Sequence, residues 1–564
     1  MEGRMLVPLG IAFIVALFAS TVVALTLTPV LCSYLLGKGK TDKDISREPF
    51  VARTLKKYYG QALEWALRHR TGVLGGTIAL FVAAMITFFT LGRSFLPPFN
   101  EGSFTINVST LPGISLEESD NIGRRAEELL LEVPEIQTVA RKTGRAELDE
   151  HALGVNTSEI EAPFVLGDRS HAEVVADVRK KLSVIPGVNI EIGQPISHRI
   201  DAMLSGTQAR IAIKLFGDDL NRMFMLGNQI KKNISAIDGV VDLNVEQQIE
   251  RPQLKITPRR EMLARYGVSL SEFAEFIDVA LAGEVVSQVY EGSRTFDLTV
   301  KVKDDERSSA AKIGDLMVDT QDGKVPLSYL AEIKSATGPN TINRENVKRK
   351  IVISANVSDR DLRSVVDDIR ERIDETVVLP EGYFIEYGGQ FESEAAASRT
   401  LSFVSLFSLL VVFLLLYNQF RSVSQSAVIL LNLPLALIGG VFILRFTTGE
   451  ISIPAIIGFI SLFGIATRNG MLLVSHYNTM LSEGNSLHDT ILRGSLDRLN
   501  PILMTALTSA LALIPLALGG DLPGNEIQSP MAKVILGGLI TSTFLNAFVV
   551  PVVYWIMNRK KENR

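Results

Sequence analysis

The residue in this 564-residue chain with the clearest chemical demand is an arginine in apolar surroundings. Arg468 lies in Gly464-Ile-Ala-Thr-Arg468-Asn469-Gly470-Met-Leu-Leu-Val-Ser475-His476, within a run otherwise suited to hydrocarbon. A cation at the centre of a bilayer costs ~2.5–3.5 kcal/mol on insertion scales, so it should face a protein interior and meet an anion, a carbonyl or water. In a relay it would respond to the charge of a proton-carrying neighbour, with Asn469 and Thr505 beside it. In a structural role it would only tie helices together. No Asp or Glu lies at mid-depth of any apolar run, so these runs supply no acid for it. Thr505, Thr508, Asn432 and Asn546 are polar residues in apolar runs, and helix-to-helix hydrogen bonding is the simpler role for each. Gly439-Gly440 and Gly537-Gly538 would let helices approach closely.

A second group is His198-Arg199-Ile200-Asp201-Ala202-Met203-Leu204. Imidazole and carboxylate suit zinc-like ions and a thioether suits soft ones, so His198, Asp201 and Met203 are candidate substrate or metal ligands. The plainer alternative is a hinge with a satisfied histidine and a packed methionine. Met223 and Met225 sit two apart on a helix and point in different directions. Glu147, Glu150 and His151 lie in a polar loop with a solvated role. No phosphate-binding Gly-rich loop, serine-hydrolase elbow or paired catalytic carboxylates can be defended, so the sequence reads as no enzyme and calls for no cofactor. Cys32 is the only cysteine, which excludes a disulfide framework. A net charge of −5 gives no reason to expect nucleic acid.

These residues must be held by membrane helices and one outer domain. Seven segments approach the ~20 apolar residues that a span needs: 6–36, 73–91, 403–417, 427–446, 453–474, 502–518 and 534–557. The third is short and extends back towards Ser398. The opening run is too long for a signal-peptide core and has no small-residue cleavage pattern. Lys and Arg gather in loops 37–70, 418–424 and 477–500 and in the tail, which predicts an external N-terminus, a cytoplasmic C-terminus and a large domain outside. Residues 48–70 read as an amphipathic helix, lying on the membrane surface or packed as a linker.

Residues 93–397 alternate strand and helix patterns. Strands are predicted at 103–111, 136–145, 160–166 and 188–192, with helices at 115–133 and 172–185, in the βαββαβ order of a ferredoxin-like unit. A second unit has strands at 209–215, 240–245, 253–256, 351–357 and 383–387, helices at 220–237 and 362–377, and an insertion at 283–340. The fold class expected is therefore a seven-span helical bundle plus an α+β domain of ferredoxin-like repeats. Clefts between such units are where ligands usually bind.

Local motifs over almost the whole chain add a resemblance. Phe95-Leu-Pro-Pro-Phe-Asn-Glu-Gly102, Leu111-Pro-Gly-Ile-Ser-Leu-Glu117, Phe216-Gly-Asp-Asp-Leu220, Ala264-Arg-Tyr-Gly267, Gly388-Gly-Gln-Phe-Glu392, Pro501-Ile-Leu-Met-Thr505 and Gly524-Asn-Glu-Ile-Gln-Ser-Pro530 carry it. Together they resemble the C-terminal half of a resistance–nodulation–division (RND) efflux transporter, in its heavy-metal efflux branch of the CusA/CzcA type. The resemblance implies proton-driven export of a metal cation from an inner membrane, by a homotrimer with a periplasmic adaptor and an outer-membrane channel. It assigns 1–37 and 71–92 to the family's sixth and seventh helices, with a cytoplasmic loop at 38–70, and 398–557 to the eighth to twelfth, with a tail at 558–564. It assigns 93–207 to the third porter subdomain, 208–282 with 341–397 to the fourth, and 283–340 to a docking insertion.

Arg468 falls where many relatives place a relay lysine, and Thr505 matches a relay-adjacent threonine. Arginine hardly deprotonates, which suits it to sensing a charge and not to carrying a proton. The family's acid-bearing helix belongs to the N-terminal half, so that half is the expected source of a partner for Arg468, and this chain is expected to be inactive alone. Copper-exporting relatives carry Met where Ala202 stands, so copper is not implied. The same half from an exporter of organic compounds, and a non-transporting membrane scaffold, are the alternative readings.

Overall fold

The computed structural model describes residues 2–36, 49–97, 99–144, 154–205, 209–248, 250–339, 341–358, 360–520, 522 and 524–562. Among them, seven helices are long and apolar enough to cross a membrane: Gly10–Leu35, Arg70–Thr90, Gln390–Phe420, Val423–Thr447, Ile453–Ser482, Leu487–Leu518 and Gln528–Arg559. Two run well past their apolar stretches. The third begins at Gln390, at the end of a strand of the outer domain, and the sixth begins at Leu487, where Ser486 accepts a hydrogen bond from the Asp489 backbone N–H. Apolar composition finds the part of a helix that lies in hydrocarbon and is blind to its polar extension.

The fourth span breaks at Leu431, between the helices Val423–Leu430 and Asn432–Thr447. Pro434 has no N–H for the preceding turn. The Asn432 side chain is buried and donates to the Ile429 carbonyl at 3.0 Å. Around this helix the bundle closes on small residues. A Cβ on Gly439 would overlap the Gly537 carbonyl, one on Gly440 the Phe459 ring, and one on Gly538 the Leu462 side chain. The helix Phe50–Arg68 packs on the bundle: Leu63 and Ala66 are buried, and the Tyr59 hydroxyl donates to the Ala547 carbonyl at 2.7 Å.

The outer residues form two four-stranded antiparallel sheets of the same topology. In the first, strands Ser103–Ser109, Ala140–Thr143, Thr157–Pro163 and Asn189–Gly193 take the spatial order second, third, first, fourth. Helices Leu116–Leu131 and His171–Leu182 cover one face. Ser115 caps the former by accepting from the Glu118 N–H, and Ser170 with Glu173 makes a reciprocal capping box on the latter. In the second, Ile211–Gly217, Val240–Val245, Lys348–Val357 and Phe384–Gly389 repeat that order, with Asn343–Glu345 paired alongside the third. Ile211, Ile213, Leu215, Ile351 and Ile353 bury against the helices Leu220–Ile234 and Leu362–Thr376.

Two sequence-based expectations shift. The strand expected at 136–145 is only Ala140–Thr143, with Ile136 making a single bridge to Phe164. The segment expected as a strand of the second unit at 253–256 belongs elsewhere. Arg251–Pro258 pairs with Ala331–Gly338, and Leu263, Phe273, Leu327 and Leu330 close a separate core beneath that ribbon. The insertion is thus built from about residue 251 onward, because its first strand finds its partner 80 residues later and not in the neighbouring sheet. Its hairpin, Glu284–Glu291 with Arg294–Val300, is exposed on both faces.

Candidate functional site: a polar seam between the two outer units

The first sheet has an apolar face and a polar one. Phe104, Ile106 and Val108 alternate into the core, so Thr105 and Asn107 turn the other way. Directly paired residues share a face. Asn107 pairs with Glu159 on one side and Glu191 on the other, and Thr105 with Glu161 and Gly193. A row Glu159–Asn107–Glu191 therefore crosses three strands on the face away from the helices.

The edge strand carrying Glu191 lies against the edge strand Val240–Val245 of the second unit. Ser354 donates to Glu191 at 3.3 Å across this boundary. Arg179, from the first unit, grips Asp242 of the second with two parallel bonds, Nε to Oδ1 at 2.8 Å and Nη2 to Oδ2 at 2.9 Å. Asp242 reaches this position through an irregularity: Asp242 and Leu243 together face Ala355, and Asp242 has a left-handed φ of 51°. Such a bulge re-aims a side chain. The carboxylate also accepts from Asn356 Nδ2 at 3.1 Å.

His198 lies beside this seam on the helix Pro195–Ser205, which packs on the first strand of the first unit, Ser103–Ser109, and the fourth strand of the second, Phe384–Gly389. Its ring lies so close to Gly193 that a Cβ there would overlap it. The side chain is 4% exposed, and among the described residues neither ring nitrogen has a hydrogen-bond partner. The satisfied histidine of the plainer reading is therefore not what the fold contains. Burial pushes the imidazole pKa down to about 4 against the opposing pull of Glu159 and Asp242, so the ring is neutral near pH 7 and free to offer a lone pair. Burial raises Glu191 above its ordinary carboxylate range; Ser354 opposes this, the nearby Asp242 charge adds to it, and Asn244 opposes it.

The seam is closed as it stands. Lys142 Nζ holds Glu159 at 2.6 Å, Arg179 holds Asp242, and Ser354 holds Glu191. Among the described residues, no three His, Cys, Asp or Glu side chains converge tightly enough to cage a metal ion. The arrangement supplies carboxylates and a neutral imidazole for a cation, each masked by a protein partner or by burial.

Sequence reasoning placed His198 here but missed Asn107, Glu159, Arg179, Glu191 and Asp242. The available signal was the second face of the strands: a sheet whose outward side carries Thr105, Asn107, Glu159 and Glu191 has to present them to something. Asp201 and Met203 lie on the helix Pro195–Ser205 with side chains outside the described residues, and Glu147, Glu150 and His151 lie wholly outside them.

The intramembrane group is not brought together. Arg468 is exposed near the middle of the 30-residue helix Ile453–Ser482 and has no hydrogen bond or ion pair with a described residue. Asn469 is buried in the bundle. Thr505 is half-buried on Leu487–Leu518 and returns its hydroxyl to the Pro501 carbonyl at 2.7 Å. Thr508 likewise donates to Met504 at 2.8 Å.

The AcrB/AcrD/AcrF family profile matches residues 1–558. The chain belongs to that family. Among curated relatives of this family, it is 33% identical over 574 residues to "Protein HelA" of Legionella pneumophila, covering 100% of this chain and 54% of the relative. It is 32% identical to "Cobalt-zinc-cadmium resistance protein CzcA" of Cupriavidus metallidurans, with coverage of 100% and 54%. A solved family structure described as a heavy metal efflux pump superposes with a TM-score of 0.78 at 28% identity, covering 91% of this chain and 52% of that one. The chain thus spans about half the length of the curated relatives it matches. It has the fold of this transporter family, with apolar helices joined to sheet-bearing outer units.

Proposed function

We propose that this chain forms part of a proton-driven exporter of divalent metal cations, and that the cation passes through the seam between the two outer units. The observation that carries this reading is the line of carboxylates Glu159, Glu191 and Asp242 along one seam, with the buried, neutral His198 on the same side; they do not form a cage in this closed state. Oxygen and imidazole donors suit zinc-like divalent ions, whereas a monovalent soft ion calls for thioether or thiolate. The name of the relative CzcA points to cobalt, zinc and cadmium.

In this reading the seven apolar helices cross the inner membrane, with the outer units in the periplasm and the Lys/Arg-rich loops inside. A homotrimer, a periplasmic adaptor and an outer-membrane channel complete the machine, and the inserted subdomain that begins at about residue 251 faces the docking partner. Arg468, exposed at mid-helix, takes its counter-charge from the part of the transporter matching the rest of the relatives' length. There it senses the protonation of that acid, and Thr505 and Asn469 are its candidate companions in the relay. His198 is the candidate ligand on this helix, and Asp201 and Met203, further along it, remain candidates by residue type alone.

The test is zinc titration calorimetry on the purified chain in lipid nanodiscs. Zinc should bind, and the double substitution Glu191→Gln with His198→Ala should weaken it at least about tenfold, the scale on which metal sites lose affinity with their supporting groups. Binding indifferent to both substitutions would refute the seam as the path.

A further inference from the structure

The closed seam raises a question of access: each carboxylate that a cation would use already has a partner. Among these pairs, Arg179–Asp242 stands apart. Like Ser354–Glu191 it joins the two units, but it is an ion pair and bidentate, and it depends on a bulged strand with a left-handed aspartate. The Asp242 side chain is 4% exposed while Arg179 is 31% exposed, so the guanidinium can withdraw to water and the carboxylate cannot. A left-handed non-glycine residue is uncommon, although Asp tolerates it better than most. A plain strand would turn this side chain elsewhere.

Resting on the reading of the seam as a cation path, we propose that Arg179 is a built-in competitor for the transported cation. It occupies Asp242 when the seam is empty and closed, and it yields the carboxylate to an incoming divalent ion. Guanidinium and metal cation satisfy the same two oxygens, so they exclude each other. Because Arg179 and Asp242 sit on different units, exchanging one cation for the other also unclasps the units. Arrival of the ion and opening of the seam become one event. The buried imidazole of His198, packed against Gly193 on the strand that carries Glu191, is a further nitrogen donor on this side of the seam. Lys142 does not play the same part, since it and Glu159 belong to adjacent strands of one sheet and their separation would open nothing.

The competition makes a directional prediction that a merely structural ion pair does not. Removing a structural clasp should loosen the site and weaken binding, whereas removing a competitor should strengthen it. Zinc titration calorimetry on the full chain in nanodiscs would compare the wild type with Arg179→Gln, Arg179→Lys and Asp242→Asn. Arg179→Gln should bind zinc about tenfold more tightly, Arg179→Lys should fall between, because a point charge cannot make the two-pronged contact, and Asp242→Asn should bind more weakly than wild type. Circular dichroism would establish that each variant is folded; should Arg179→Gln fail to fold, Arg179→Lys carries the test. Equal or weaker binding by the folded Arg179 variant overturns the competition, as does wild-type affinity in Asp242→Asn. Absence of zinc binding by the wild type and every variant would instead overturn the seam as a cation path, and this inference with it.

Discussion

Substituting Gly439 by alanine probes the bundle that carries Arg468 and Asn469. The helices Asn432–Thr447 and Gln528–Glu562 touch backbone to backbone at this point. The added methyl would overlap the Gly537 carbonyl oxygen and the Thr541 hydroxyl, and that hydroxyl accepts from the Gly439 N–H at 3.1 Å. A carbonyl within a helix cannot rotate away, so the helices must part. The opposing glycine leaves little slack, because a Cβ on Gly537 would itself stand 2.6 Å from the Gly439 carbonyl oxygen. Overpacking of this kind costs about 1–3 kcal/mol, set against a gain of roughly 0.5–1 kcal/mol from removing a helical glycine. The net expectation is a loss of up to about 2.5 kcal/mol by these two figures, and a deficit of about 1–3 kcal/mol relative to a glycine substitution that meets no obstacle. Thermal unfolding in detergent, followed by tryptophan fluorescence, measures it. Gly464→Ala is the control: a Cβ there meets nothing within 4 Å, so only the helix-propensity gain applies. Equal melting temperatures for the two variants, or a more stable Gly439→Ala protein, would refute close backbone approach as the reason for glycine.

The remaining expectations concern charge and caps. His198 has a folded pKa of about 4, below its unfolded value, so the stability it contributes is present above pH ~6.5 and is lost as pH falls towards 4, by a total of ~3 kcal/mol. His198→Phe should flatten that slope in pH-dependent denaturation, and an unchanged slope would count against a buried neutral ring. Glu191 has the opposite sign: its raised pKa means that stability is lost as pH rises through the folded value, so Glu191→Gln should raise the melting temperature at neutral pH while weakening zinc binding. A variant less stable at pH 7 would contradict this. Ser170→Ala removes one side of a reciprocal capping box and should cost about 1 kcal/mol by denaturant titration.

Periodicity made the large elements readable. The apolar runs gave the seven long helices found among the described residues, and Ser115 marks a helix start that the structure caps with that side chain. What periodicity could not give was partnership. Gln253–Ile256 looks like any strand, and only tertiary pairing sends it to Ala331–Gly338. The site was less legible than the fold for the same reason. His198 stood out by residue type, but Glu159, Arg179, Glu191 and Asp242 come from separate elements and look like ordinary solvated charges in the sequence. Their proximity is set by the 103–109 register and by the bulge at Asp242, which leave no local trace. Arg468 shows the reverse. Its demand for a counter-charge was plain from the sequence, and among the described residues the fold supplies none.

The position of a bound divalent ion tests the seam most directly. A zinc-edge anomalous difference map from crystals of the chain grown with zinc would locate it. The expected result is a peak in the seam within coordination distance of His198 and at least one of Glu191 and Asp242, with Arg179 drawn away from Asp242. A strong peak elsewhere in the outer units, with the seam empty and the Arg179–Asp242 pair intact, would contradict it.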